Sequence, residues 1–475
     1  MASGKVDKTN PRTSDPLMEK GAEAREQDVA ERPKVHITKI RDSLAGGLHS
    51  VKNEDYFHGF LPKEQAANLL VRVGDFLVRQ AVKLELKSFA AEQFIISVRK
   101  LTSEGSLSKI ISKVNDELKK STGDDEQEVD EDKPKRDDME LRHIPIKYSR
   151  RAKLYYVRLY GFKLVSGLIE YHRRNRIPFD EEGTVIKRAI KRADWQLNHE
   201  QIVKTKKLGD GAFGDVYKGL LYTGLIESKE CAIKTILGTV STEENEKLFR
   251  EAMLMKRLVH PNVVMLLGVA SNEEPVMIVM EFAQGGSVLD AVQQKPGPSA
   301  YVRIKYCSHA AMGLSYLTKQ GIIHRDVAAR NCLIGKHDTA KISDFGLSIV
   351  GTQKKEKTLK KVPVRYLAPE TLKKRQYTVK TDVWSFGVFI WEVFHDGLEP
   401  YREMTAKEVR KYVLAGNTLD NESDHYPQHM WAITTTCFSF EPAARPLFDA
   451  IADDIMADIE LYKEERTFKE KFKFW

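Results

Sequence analysis

The sequence predicts an α+β chain in which a small antiparallel sheet flanked by two helices precedes a two-lobed unit, its first lobe β-rich and small, its second larger and helical. Three observations point there. Residues 53–180 carry strand patterns set between two helical ones. From Gln201 strand patterns with glycines come first and helical patterns follow to residue 463, the order expected of a sheet lobe joined to a helical lobe. A polar stretch, 181–200, connects the two regions.

The bulk properties narrow the class. A chain of 475 residues is long enough for two or three domains with ample cores. Its 41% hydrophobic and 30% charged residues describe an ordinary soluble globular protein. The net charge of +8 is modest for this length; a solvated basic surface explains it, and no nucleic-acid partner is expected. Cys231, Cys307, Cys332 and Cys437 lie far apart with no CxxC pair, which suggests neither a disulfide framework nor a zinc site and fits a reducing compartment. The start "MASGKVDKTN" lacks an apolar signal core, and runs such as "GVFIWEVF" are too short to span a bilayer. A cytoplasmic protein without a transmembrane segment is expected.

Residues 1–52 are polar, charged and almost free of aromatics, as a disordered tail would be. Pro62 then precedes a helical pattern (Ala66, Leu69, Leu70), Gly74-Asp75 makes a turn, and "FLVRQA" and "EQFIISVRK" read as strands. The segment near 101–139 includes "GDDEQEVDEDKPKRDD", an acidic low-complexity run that cannot form a core. It reads as an insertion, because the strand-like "RHIPIKYS" and "KLYYVRLYG" follow it. "VSGLIEYHRRNRI" places Val165, Leu168, Ile169 and His172 on one side of a helix. Residues 464–475 form a C-terminal tail.

The second region carries the chemistry. "KLGDGAFGDVYKG" places Gly209, Gly211 and Gly214 in a GxGxxGxV pattern closed by Val216. A dinucleotide loop would lead into a helix. Here strand formers follow, so a hairpin whose backbone amides lie over phosphates is expected. In the strand "ECAIKTI", Ala232 and Lys234 share a face; taken by itself, Lys234 reads as an exposed strand lysine. In "EKLFREAMLMKRL", Leu248, Glu251, Met255 and Leu258 fall on one helical face. A carboxylate inside an apolar stripe needs a cation, and Lys234 is the expected partner.

"IIHRDVAARNCLI" interrupts an apolar run with His, Arg, Asp and Asn, which a core strand would not tolerate. "NCLIGKHDTAKISDFG" reads as two strands around the turn "KHD", with Asn331 six residues before its centre and Asp344 seven after it, and the two are expected side by side at the hairpin's open end. Their oxygens suit a hard cation such as magnesium, which takes few protein ligands plus phosphate oxygens. Asp326, five residues before Asn331, would face the same spot and accept a hydroxyl proton.

These motifs, with "APE" after them, stand in the order and at the gaps of the protein kinase family, and the resemblance covers residues 202 to about 460. It implies a bilobal kinase fold with Asp326 as catalytic base, Lys234 paired to Glu251 and holding phosphates, Arg330 beside the base, and Asn331 and Asp344 on Mg2+ or Mn2+. ATP would lie among Gly209, Gly211, Gly214, Val216, Ala232, Lys234 and Leu333. Met280 resembles the gatekeeper, and Glu281 to Ala283 resemble the hinge whose backbone meets adenine. Glu370 resembles the partner of Arg445, and Asp382 a buried loop anchor. "DVAARN", with Ala328 and Arg330, and "KVPVRYLAPE" look like the tyrosine kinases, which implies protein substrates bearing tyrosine.

"YFHGFLPKEQAANLL" with "GDFLVR" resembles the Src-homology 2 (SH2) domain over residues 56 to about 178. That resemblance implies phosphotyrosine-containing partners, with Arg79 gripping the phosphate and Lys63 and His143 flanking it. Ala81 stands where the family has a serine that donates to the phosphate. An SH2 domain placed directly before a tyrosine kinase looks most like the Fes/Fer subfamily of non-receptor kinases. With about fifty residues before the first domain, that subfamily's membrane-bending N-terminal domain is expected to be absent, leaving peripheral recruitment to receptors at the plasma membrane. The alternative function is a catalytically weak kinase-like scaffold acting through SH2 binding. Against it, Lys234, Glu251, Asp326, Asn331 and Asp344 are all present. Between Asp344 and Glu370 the only tyrosine is Tyr366, which aligns with a substrate-binding aromatic, so activation by a loop phosphotyrosine is not expected. The acidic run 124–132 is expected to lie against the lysines of that loop.

Overall fold

The computed structural model of the chain describes residues 38–39, 50–80, 93–102, 138–211, 214–224, 226–235, 242–356, 362–423, 426–457 and 459. Most of the expected tail 1–52, nearly all of the acidic insertion, Ala81, Lys357, Lys360, Lys361 and the tail 464–475 lie outside the described residues.

The first domain is a seven-stranded sheet of β1 (Thr38–Lys39), β2 (Asp75–Gln80), β3 (Phe94–Leu101), β4 (Met139–Ser149), β5 (Leu154–Val157), β6 (Tyr160–Phe162) and β7 (Arg188–Ala189), in the order β1-β6-β5-β4-β3-β2-β7. Helices α1 (Lys63–Leu69) and α2 (Val165–Asn175) cover it. Strand β2 shows why two helices are needed. Successive strand side chains point to opposite faces, and both faces of β2 are buried. Phe76 and Val78 join Ile96, Val98 and α2's Leu168 and Ile169 in one core, while Leu77 enters a second core with α1's Ala66. Arg79 shares the face of Leu77.

Two boundaries differ from the sequence reading. Ordered structure begins before residue 53: β1 pairs in parallel with β6, and Val51 is part of the first core. The stretch 181–200 is more than a polar connection, because it is built into both sheets. β7 pairs in parallel with β2, and β8 (Gln196–Leu197) pairs in parallel with β12 (Leu266–Ala270). Two-residue strands have no period of their own, and their partner strands fix them.

The second sheet adds β9 (Ile202–Gly211), β10 (Gly214–Tyr222), β11 (Ser228–Thr235) and β13 (Met277–Glu281), in the order β8-β12-β13-β11-β10-β9. Helix α3 (Thr242–Met255) packs against it. The expected stripe on α3 breaks at its last member. The helix ends at Met255, and Leu258 is carried in a turn whose amide donates to Met255 O at 2.9 Å. Leu258 is buried all the same.

The large lobe gathers α4 (Val288–Gln293), α5 (Ala300–Lys319), α6 (Pro369–Lys374), α7 (Val379–Phe394), α8 (Ala406–Leu414) and α9 (Gln428–Cys437). From Thr381 to Phe394 every residue of α7 is buried, as a helix apolar all round must be. Short strands β14 (Ile322–Ile323), β15 (Cys332–Ile334), β16 (Ala340–Ile342), β17 (Ile349–Val350), β18 (Gln353–Lys355) and β19 (Gln376–Thr378) shape the loops between the helices.

The first domain and the small lobe share a core. Phe60, Leu61, Leu70 and Leu77 pack with Leu248, Phe249 and Ala252 of α3 and with Val269 and Ile278. The Phe60 amide donates to Ser271 O at 2.8 Å, and Ser271 Oγ donates to His58 O at 3.3 Å. Gly59 makes the approach workable. Its φ is +59°, and a Cβ there would lie 1.9 Å from Ser271 O.

Candidate active site

The hairpin of β15 and β16 pairs Cys332 with Ile342 and Ile334 with Ala340. The register is one residue away from the expected pairing: Ser343, not Asp344, stands opposite Asn331, and its amide and hydroxyl both donate to Asn331 O at 2.9 Å. Asp344 comes one residue later, at φ +58°, where the chain leaves the strand. Its carboxylate reaches Lys234 Nζ at 3.4 Å.

Lys234 lies at the register position opposite Val216 of β10 and Ile278 of β13. Its ammonium is 2.8 Å from Glu251, and both side chains are under a tenth exposed. Burial opposes the charge of Lys234, but Glu251 and Asp344 outweigh it and hold the ammonium above the usual lysine range.

Asp326 is gripped on both carboxylate oxygens. Arg330 pairs with Oδ1, and Asn331 Nδ2 donates to Oδ2 at 2.7 Å and to Asp326 O at 2.8 Å. The Arg330 guanidinium also lies 4.8 Å from the centre of the Tyr366 ring. The Tyr366 hydroxyl donates to Glu392 at 2.7 Å, the other Glu392 oxygen accepts the Ala329 amide at 2.9 Å, and burial drives the phenol pKa far up. From below, Asp382 accepts the amides of His324 and Arg325 at 2.7 and 2.9 Å. Full burial pushes its carboxyl up to about 6, against the pull of those donors.

An unbroken set of contacts thus runs from Glu251 through Lys234 and Asp344, and from Asp344's neighbour Ser343 through Asn331 to Asp326 and Arg330. Gly211 pairs with Gly214, and Gly209 with Val216, at the end of the β9–β10 hairpin; residues 212 and 213 lie outside the described set. Ala232 stands opposite Met280 at the register between β11 and β13, and Leu333 lies in β15, bridged to Ser287. The Glu281 carboxylate accepts the Met265 amide at 2.8 Å and pairs with Lys341 at 3.0 Å, so its side chain braces the segment between the lobes. The Ala283 amide is left without a hydrogen bond among the described residues.

These residues fit a divalent cation carried by a nucleotide. Asn331 spends its amide nitrogen on Asp326, which leaves Oδ1 as an acceptor, and Asp344 spends Oδ1 on Lys234 and on the Gly346 amide, which leaves Oδ2. Two oxygens fall short of a cage, and among the described residues no three His, Cys, Asp or Glu side chains form one. A hard ion completed by phosphate oxygens matches that donor set.

On the first domain, Arg79 Nε donates to Ser97 Oγ at 3.1 Å, and Ser97 Oγ is 2.9 Å from His143 Nδ1. Burial, reinforced by the charges of Arg79 and Lys63, lowers His143 to about 4. Lys63 is mostly exposed and lies 3.8 Å from Glu64. Sequence reading missed Ser97, whose signal was a lone hydroxyl on a strand of apolar residues. It also missed Glu392, a carboxylate inside the apolar helix α7.

Residues 202–455 match the family model described as protein tyrosine and serine/threonine kinase. Over 87% of its length the chain is 34% identical to Fer-related kinase 1 of Caenorhabditis elegans and covers 96% of that protein. Over 85% of its length it is 31% identical to the tyrosine-protein kinase transforming protein Fps of an avian sarcoma virus (strain PRCII), of which it covers 67%. Over 95% of its length it is 30% identical to the tyrosine-protein kinase Fer of Homo sapiens, of which it covers 52%.

Proposed function

We propose that this chain, which belongs to the protein tyrosine and serine/threonine kinase family and within it to the Fer and Fps non-receptor tyrosine kinases, moves the γ-phosphoryl group of ATP to tyrosine in proteins that its first domain selects by their phosphotyrosine. The observation that carries the catalytic part is the pair of grips on Asp326. With Arg330 on one oxygen and Asn331 on the other, the carboxylate is fixed in place to accept the proton of an incoming phenol. Lys234, kept protonated by Glu251 and Asp344, neutralises charge on the phosphates. Asn331 Oδ1 and Asp344 Oδ2 would hold magnesium or manganese. When bound, that ion supplies charge neutralisation on the transferred group. The Ala283 amide, without a hydrogen bond among the described residues, would read adenine.

The first domain is read as an SH2 domain. What supports this is Arg79, a guanidinium on the α1 face of the sheet with Ser97 and His143 beside it, in a pocket with an excess of cationic groups. No helix among the described residues is long and apolar enough to cross a membrane, and a cytoplasmic site of action, reached by docking to phosphorylated receptors, follows from this reading.

The test is direct. With magnesium-ATP and a pool of tyrosine peptides, Asp326→Asn keeps the shape of the site and removes the base, and kcat should fall by about 10²- to 10⁴-fold. Equal phosphotyrosine from both proteins would remove the assignment.

A further inference from the structure

Arg325 stands immediately before Asp326 and is enclosed. Its side chain is 9% exposed, its guanidinium lies 4.2 Å from the centre of the Tyr377 ring, and Nη1 donates to Leu347 O at 3.1 Å. A guanidinium held this far from water needs a negative partner. Asp382 is close, but its two oxygens accept the amides of His324 and Arg325. The ion pair is made by Glu356, whose Oε1 is 3.1 Å from Arg325 Nη2.

Glu356 is delivered by the loop that follows "DFG". Strand β18 zips onto β19, with Lys354 opposite Tyr377, and the Glu356 amide donates to Arg375 O at 3.0 Å. One short ladder therefore seats both the ring under Arg325 and the carboxylate beside it. In kinases that are switched by loop phosphorylation, an added phosphate pairs with arginine and orders this segment. Here a carboxylate already occupies that role. The loop's single tyrosine, Tyr366, is buried and committed to Glu392.

We propose that Glu356 is a positioning residue for phosphotransfer, a built-in anion that neutralises Arg325 and so keeps the catalytic loop in its working shape without phosphate on the loop. The inference rests on the kinase reading and adds its mode of control. Glu356 touches no reacting atom. It holds Arg325, whose backbone turn at φ +72° leads directly into Asp326.

The experiment uses the full-length chain, treated with phosphatase, checked by mass spectrometry for an unphosphorylated loop, and freed of the phosphatase. Wild type should turn over tyrosine peptide with magnesium-ATP at once, without a lag. Glu356→Gln, nearly the same shape without the charge, should lose kcat by roughly 10- to 100-fold, the worth of one charge-assisted contact, while KM for ATP moves less than about threefold. Glu356→Asp should restore part of the loss, which a purely structural role would not require. A dephosphorylated wild type that is inactive and gains rate only as its loop becomes phosphorylated overturns the proposal. So does a Glu356→Gln protein as fast as wild type. If Glu356→Gln melts early, the lag measurement on wild type and the Glu356→Asp rate still decide. Wild type that transfers no phosphate under any treatment, matching Asp326→Asn, would remove the kinase reading itself and is told apart from the other outcomes by that match.

Discussion

At the scale of single residues, the first domain arranges Ser97 and His143 around the guanidinium of Arg79. Arg79 is drawn toward Ser97, and Ser97 meets His143, so the guanidinium is oriented before any ligand arrives. Orientation matters because a guanidinium grips phosphate as a planar fork, whereas an ammonium offers only a point charge. Arg79→Lys should therefore weaken binding of a phosphotyrosine peptide about 10-fold or more even though the charge is kept, and Arg79→Ala should weaken it about 100-fold. Ser97→Ala should cost less, about 3- to 10-fold, because it removes the orienting bond alone. Titration of a labelled phosphopeptide by fluorescence anisotropy measures all three. Unchanged affinity in Arg79→Ala would place the phosphate elsewhere.

At the scale of elements, α3 is held from two directions. Glu251 reaches Lys234 in the cleft, while Leu248, Phe249 and Ala252 join the core shared with Phe60, Leu61 and Leu77 of the first domain. The helix that carries the carboxylate partner of Lys234 is thus buttressed by another domain. Phe60→Ala opens a cavity in that shared core and should cost about 3–5 kcal/mol of stability. Gly59→Ala should be at least as damaging, since its Cβ has no room against Ser271 O. Both are read from thermal melts, with a matching loss of kcat as α3 loses its support; a melt unchanged in Phe60→Ala would show the junction to be loose. The sequence concealed this junction for a physical reason. Phe60 and Leu61 sit in a turn with no period, and their partners lie about two hundred residues away. Strands β2, β3 and β10 were legible because their runs of strand-forming residues are local, and Asp326, Asn331 and Asp344 because one hairpin brings near neighbours together. The one-residue slip at Asp344 follows from the spacing itself, since Asn331 lies six residues from the centre of the turn and Asp344 seven, so an even hairpin pairs Asn331 with Ser343. Glu356 escaped notice because the ladder that aims it is made by β19, a partner its own sequence does not announce.

At the scale of the whole molecule, the pattern of histidines sets the response to acid. His58, His143, His172, His260, His309 and His395 are all held below the usual imidazole range, with burial the leading cause in each. His309 shows the geometry. Its Nδ1 accepts the Ala340 amide at 3.1 Å, which only a ring unprotonated at that nitrogen can do, and its pKa is lowered to about 4. In the unfolded chain a histidine titrates at about 6.5. Between these values the unfolded chain binds a proton that the fold refuses, so this stability is fully present above about pH 6.5 and is lost as pH falls toward 4. For His309 that is about 2 kcal/mol, after allowance for a partly solvated ring. Asp382 runs the other way. Its carboxyl, raised to about 6, binds a proton more readily in the fold than in the unfolded chain, which favours the fold as pH falls through 6. Burial raises the Glu251 and Glu392 carboxyls as well, so three carboxyls stand against six rings, and the melting temperature should still drop by roughly 5–10 °C from pH 7.5 to pH 5. His309→Asn, which offers an acceptor that does not titrate, should show a smaller drop than wild type. A melting temperature level across that interval would mean that the rings are charged inside the fold.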